Sequence, residues 1–100
     1  MNTFTMSEEQ ARAQTDLTRA IASAIRMGQA VACVEEPARW EVENDPDAKR
    51  KCLACPVLQL CRTYAGTGLV RHGTLAGLDM EEWTAKRRRK IRTDTRRVAA

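Results

Sequence analysis

The sequence predicts an all-α fold, a small bundle of about four to five short helices with a glycine-rich turn before the last of them. Three observations lead there. Apolar residues recur at helical spacing behind recognisable cap signals. Neither a βαβ pattern nor an internal repeat is visible. The chain is 100 residues long and holds few large apolar side chains beside abundant alanine, so its core is thin and a metal or disulfide staple is expected.

The elements follow in order. Residues 1–6 are expected to be disordered. Ser7-Glu8-Glu9-Gln10 reads as a capping box, with Ser7 as N-cap and Gln10 reaching back to it. Leu17, Ala20, Ile21, Ala24 and Ile25 then form a packing stripe, and Gly28 ends the helix. Ala30 to Asp47 is acidic and broken by Pro37 and Pro46, with room for a helical turn after Pro37 and with Trp40 in its middle. Ala48 to Cys52 forms a short helix. Pro56 suits the first turn of the next, Val57 to Ala65. Gly66, Gly68, Gly73 and Gly77 mark a turn-rich segment with little room for regular structure. Asp79-Met80-Glu81-Glu82 reads as a second capping box, opening a helix that runs through Trp83 into a basic tail. The division is therefore 1–6, a domain over 7–85, and a tail over 86–100.

Charge is unevenly placed. Residues 86–100 hold eight basic groups against Asp94, a net +7, whereas residues 1–85 carry nine basic and twelve acidic groups, a net −3. A polyanion is the natural partner of such a tail, nucleic acid above all. Lys86, Arg87, Arg88, Arg89, Lys90 and Arg92 are the candidate DNA contacts. With no base-reading Asn or Gln among them, they suit backbone contact more than sequence choice. No apolar run approaches the roughly 20 residues that span a membrane, and no secretory signal is evident. The expected location is the cytoplasm, where thiols stay reduced.

The most specific feature is the cysteine array. Cys33, Cys52, Cys55 and Cys61 are all the cysteine in the chain, spaced C-x18-C-x2-C-x5-C. Cys52 and Cys55 can reach one centre from a single turn. Cys61 closes the site from the following helix, and Cys33 folds back across eighteen residues. A [4Fe-4S] cluster takes four thiolates at irregular spacing. Structural zinc commonly uses two knuckles or a histidine pair, and here there is one knuckle and one histidine, His72, which reads as a turn residue. A disulfide pair is the third option. Exchange chemistry at Cys52-Leu53-Ala54-Cys55 lacks the strand–helix context such motifs use.

Cys33, then Cys52-Leu53-Ala54-Cys55-Pro56-Val57, then Cys61-Arg62-Thr63-Tyr64-Ala65 resembles the C…C-x2-C-P-V-x4-C-x2-Y-A signature of the WhiB-like (Wbl) family of actinobacteria and their phages. The resemblance covers about residues 30 to 90. It implies helices wrapped around one [4Fe-4S] cluster on Cys33, Cys52, Cys55 and Cys61, and a regulator of transcription rather than an enzyme. It implies binding to the C-terminal domain of the principal sigma factor, as one monomer of a heterodimer, with the basic tail on promoter DNA. Sensitivity to redox change or nitric oxide would follow from an accessible cluster. The sequence departs from the family at the G-[V/I]-W-G-G turn, which here is Gly73-Thr74-Leu75-Ala76-Gly77. Leu75 stands where the family has Trp, offering less contact area and no indole N–H. Gly73, Leu75 and Gly77, with Trp40, which lies where the family tends to have an aromatic pair, are the candidate partner contacts. Alternatives outside this class are a thiol–disulfide reductase working through Cys52 and Cys55, and a zinc-stabilised DNA-binding module.

Overall fold

A computed structural model describes residues 6–99, and for residues 91–99 it describes the backbone alone. Residues 1–5, part of the expected disordered terminus, lie outside the described residues, as do the side chains of Arg92, Arg96 and Arg97. The described chain is mostly helical. Its order is α1 (Glu8–Arg26), α2 (Ala32–Glu35), α3 (Pro37–Trp40), α4 (Pro46–Leu53), α5 (Leu58–Gly66), β1 (Thr74–Leu75), β2 (Leu78–Asp79) and α6 (Met80–Ala99). Among the described residues no helix is long and apolar enough to cross a membrane.

Local chemistry sets most of these boundaries. At the start of α1 the Ser7 hydroxyl accepts from the Gln10 N–H at 3.1 Å, and the Gln10 side chain accepts from the Ser7 N–H at 3.0 Å. At its end the Gln29 N–H reaches back to the Ala24 carbonyl at 2.9 Å, closing a Schellman turn with Gly28 at φ +80°. Asp45 caps α4, accepting from the Asp47 and Ala48 N–H groups ahead of Pro46 in the first turn. Pro56 sits two residues ahead of α5, in the turn that precedes it, rather than inside its first turn.

The packing unit is α1 against α5, running antiparallel. Leu17 and Ala24 of α1 meet Val31 and Val57, with Ala20, Ile21, Tyr64 and three of the cysteines packed around them. Gln10 fastens the far end by donating to the Thr67 carbonyl at 3.2 Å. Among the described residues, five of the ten buried apolar residues are alanine. A buried Val, Leu or Met contributes about 1.5–3 kcal/mol and an alanine methyl well under that, so this core alone is weak.

The segment expected to lack regular structure contains a hairpin. β1 and β2 pair antiparallel, Thr74 opposite Asp79 and Leu75 opposite Leu78. The two loop residues, Ala76 at φ +55° and Gly77 at φ +78°, are both left-handed, which makes this a type I′ turn. The cap expected at Asp79 is replaced by a longer-range arrangement. The Asp79 carboxylate accepts from the Asn44 N–H at 2.9 Å and pairs with Lys49, while the first turn of α6 donates from the Glu81 N–H to the Glu43 carboxylate. These bonds join the hairpin to the α3–α4 connection.

Candidate metal centre

Each cysteine comes from a different local setting. Cys33 lies on α2, Cys52 near the end of α4, Cys55 in the connection that follows, and Cys61 in the second turn of α5. Pro46 and Asp45 start α4 so that Cys52 falls at its inner end. The Cys55 N–H then bonds the Cys52 carbonyl at 3.0 Å, turning the chain back into α5. All four thiols are free and partly buried, and all four line one partly open cavity of about 150 Å³. Its remaining wall is mainly apolar: Leu17 and Ile21 from α1, Val57 and Leu58 at the start of α5, and Trp40. The hairpin roofs it with Leu75 and Ala76.

N–H groups are aimed at the sulfurs. The Trp40 indole Nε1–H donates to Cys52 Sγ at 3.0 Å. The Ala76 N–H, presented by the type I′ turn, acts to lower the Cys61 pKa, and the N–H groups of Cys33 and Val34 act likewise on Cys33. A neutral thiol is a weak acceptor, and a thiolate is a strong one.

Burial pushes the Cys61 thiol up to about 12, helped by repulsion from Cys52, Cys33 and Cys55 and opposed by the Ala76 N–H. Burial likewise raises Cys33, followed by the charges of Cys55 and Cys52. Tyr64 is raised by burial and then by Cys61. Four thiols this close cannot all ionise without positive charge between them. Among the described residues no group of three or more Cys, His, Asp or Glu converges closely enough to hold a single metal ion. The sulfurs border a space rather than meeting at a point.

The other sequence-derived residues divide into two sets. Trp40 is 9% exposed, and a Cβ added to Gly73 would lie 2.5 Å from the Trp40 carbonyl oxygen, so these two pack flush. Leu75 reaches the cavity. Gly77 sits against Leu53 and Lys49 of α4. Lys86, Arg87, Arg88, Arg89 and Lys90 are away from the cavity, along the exposed part of α6. Lys86 pairs with Glu82 at 2.9 Å, and Arg87 lies over the Trp83 ring at 5.3 Å and donates to the Gly66 carbonyl at the end of α5. His72 is exposed and faces Glu81 at 3.9 Å. Sequence reasoning missed Ala76, whose N–H serves Cys61. The available signal was the pair Ala76-Gly77 between short apolar stretches.

No protein-family model, curated protein or solved structure matches this chain.

Proposed function

We propose that this chain is a non-enzymatic regulator of transcription that holds a [4Fe-4S] cluster on Cys33, Cys52, Cys55 and Cys61. The observation that carries the reading is the cavity itself: the four cysteines of the chain, drawn from four settings, border one space, with the Trp40 indole N–H on the Cys52 sulfur. A single zinc ion needs its ligand atoms within about 2.3 Å of one point. Thiols spread around a void of 150 Å³ suit a larger inorganic group with several metal corners. When bound, the group supplies positive charge among the thiolates and a cross-link between α2, α4 and α5.

The chain's own residues do the rest. Leu17, Ile21, Trp40 and Leu75 restrict water at the sulfurs. The hairpin, with the 59% exposed Leu53 beside Gly77, offers an apolar rim near the cavity for a protein partner. The resemblance to the WhiB-like family names that partner as the C-terminal domain of the principal sigma factor. The exposed face of α6 brings Lys86, Arg88 and Lys90 to a nucleic acid backbone. Sensing of oxidants or nitric oxide belongs to the same proposal, through an opening that leaves the cavity partly accessible.

The test is anaerobic co-purification with the sigma factor's C-terminal domain, assaying iron, zinc and acid-labile sulfide on the same fraction. The expected result is a brown complex with iron and sulfide in equal amounts. Colourless protein with stoichiometric zinc would replace the cluster with a zinc module. Insulin reduction at catalytic rates, lost in Cys55→Ser, would make the chain a reductase.

A further inference from the structure

We infer that Trp40 is a positioning residue for the cysteine centre: its indole N–H fixes the charge carried by the Cys52 sulfur and so raises the reduction potential of the group bound there. The inference rests on the proposed cluster and assigns a role that the family signature does not contain at this position. Trp40 Nε1 lies 3.0 Å from Cys52 Sγ, and an indole nitrogen can only donate. A buried tryptophan N–H ordinarily finds a good acceptor, and a thiol becomes one only as a thiolate.

The donor is held in place from three directions. Its own carbonyl abuts Gly73 so closely that no side chain fits there. The Thr74 hydroxyl donates to the Val42 carbonyl at 2.8 Å, pinning the backbone two residues on. Arg39, the preceding residue, bridges Asp45 and Asp47 at 3.0 Å each, at the first turn of the helix that carries Cys52. Donor and acceptor thus sit on one braced unit, α3 with α4. One-electron reduction adds negative charge that spreads onto the cysteine sulfurs. An N–H bond to one of them favours that charge, so the donor raises the potential and its loss lowers it.

The experiment compares wild type, Trp40→Phe and Trp83→Phe, purified without oxygen and titrated potentiometrically. Trp40→Phe keeps the ring and removes the N–H. Its midpoint should move to more negative values at unchanged iron and sulfide content, while Trp83→Phe should match wild type. A loaded Trp40→Phe protein with the wild-type midpoint overturns the inference and leaves the cluster reading standing. Wild type without iron and sulfide overturns both. A second measurement does not depend on Trp40→Phe folding. In Trp83→Phe protein labelled with ¹⁵N-tryptophan, the remaining indole N–H should be paramagnetically shifted or broadened and slow to exchange with solvent. A sharp signal at the free-tryptophan position that exchanges rapidly overturns the inference.

Discussion

The cysteine-lined half of the molecule and the basic helix α6 are held by opposite means. The first is a set of short helices, two of them four residues long, that meet through contacts distant in sequence. Its core is half alanine among the described residues, burial pushes the Cys61 and Cys33 thiols away from ionisation, and the Trp40 indole N–H points at the Cys52 sulfur. The second is 20 residues of continuous helix with acidic residues at its start and basic residues along its described length. Local bonds and a favourable helix dipole support it. On the proposed reading the first half gains stability from a group held in its cavity, whereas the second needs only a foothold. That foothold is Met80, fully buried, with Arg87 reaching back to the end of α5.

The largest test of this contrast removes one thiol. Cys61→Ser takes away the thiol that α5 contributes to the cavity and should abolish iron loading and much of the helical signal of residues 7–79. Circular dichroism with iron analysis checks it. Native-like ellipticity in a metal-free Cys61→Ser protein would show that the alanine-rich core suffices alone.

A smaller but sharply placed effect is expected at the hairpin. In Gly73→Ala the new methyl would meet the Trp40 carbonyl at 2.5 Å, and φ is +80°. Strain and overpacking each cost about 1–3 kcal/mol, so a loss on the order of 3 kcal/mol should appear in anaerobic urea titration. Gly66→Ala is the internal control. Nothing lies within 4 Å of a Cβ there, its φ is not left-handed, and it should be neutral or gain a few tenths of a kcal/mol. Equal losses at both positions would mean that the hairpin is not pressed on Trp40.

These two glycines also show what the sequence could tell. The cap at Ser7 and the stop near Gly28 were legible, because each is a local pattern with one physical solution, and the cysteine array was legible as a spacing. The hairpin was not, since strands of two residues are too short to show alternation and Ala76 takes the place where Asn or Gly would advertise a type I′ turn. Asp79 read as a cap for α6, yet its carboxylate serves Asn44 and Lys49, 35 and 30 residues away. Trp40 on Cys52 bridges 12 residues with no periodic signature. Local reading found the cysteine array and most of the helices but not α2, and tertiary bonds decided what surrounds the sulfurs.

Asp79 supplies the next prediction. The Lys49 ammonium, followed by the Asn44 N–H, holds its carboxyl below the ordinary carboxylate range. Its stabilising contribution is therefore complete above the unfolded value of about 3.9 and is lost as pH falls through the lower native value. Asp79→Asn keeps an acceptor for Asn44 and loses the charge that faces Lys49. At neutral pH it should cost about 1–2 kcal/mol. The wild-type and variant curves should then converge below about pH 4. A difference that stays constant through the acid range would mean that the carboxylate's charge contributes nothing to the joint between hairpin and α4.

The smallest effect on the cysteine half should come from the other half altogether. Lys86, Arg88 and Lys90 are exposed, and nothing in the cavity touches them. Replacing all three with Gln keeps good helix formers in place, so iron content and urea midpoint should stay within error of wild type. DNA association should weaken, and its log–log salt slope should shrink by about 0.9 for each phosphate contact removed, close to 3 in all. Arg87 is left in place because its guanidinium is already engaged with Gly66 and Trp83, and removing it would loosen the foothold as well as the charge. If the triple variant lost iron while its salt slope stayed fixed, the charge on α6 would belong to the stability of the cysteine half, and the two regions would not be separable in the way their chemistry implies.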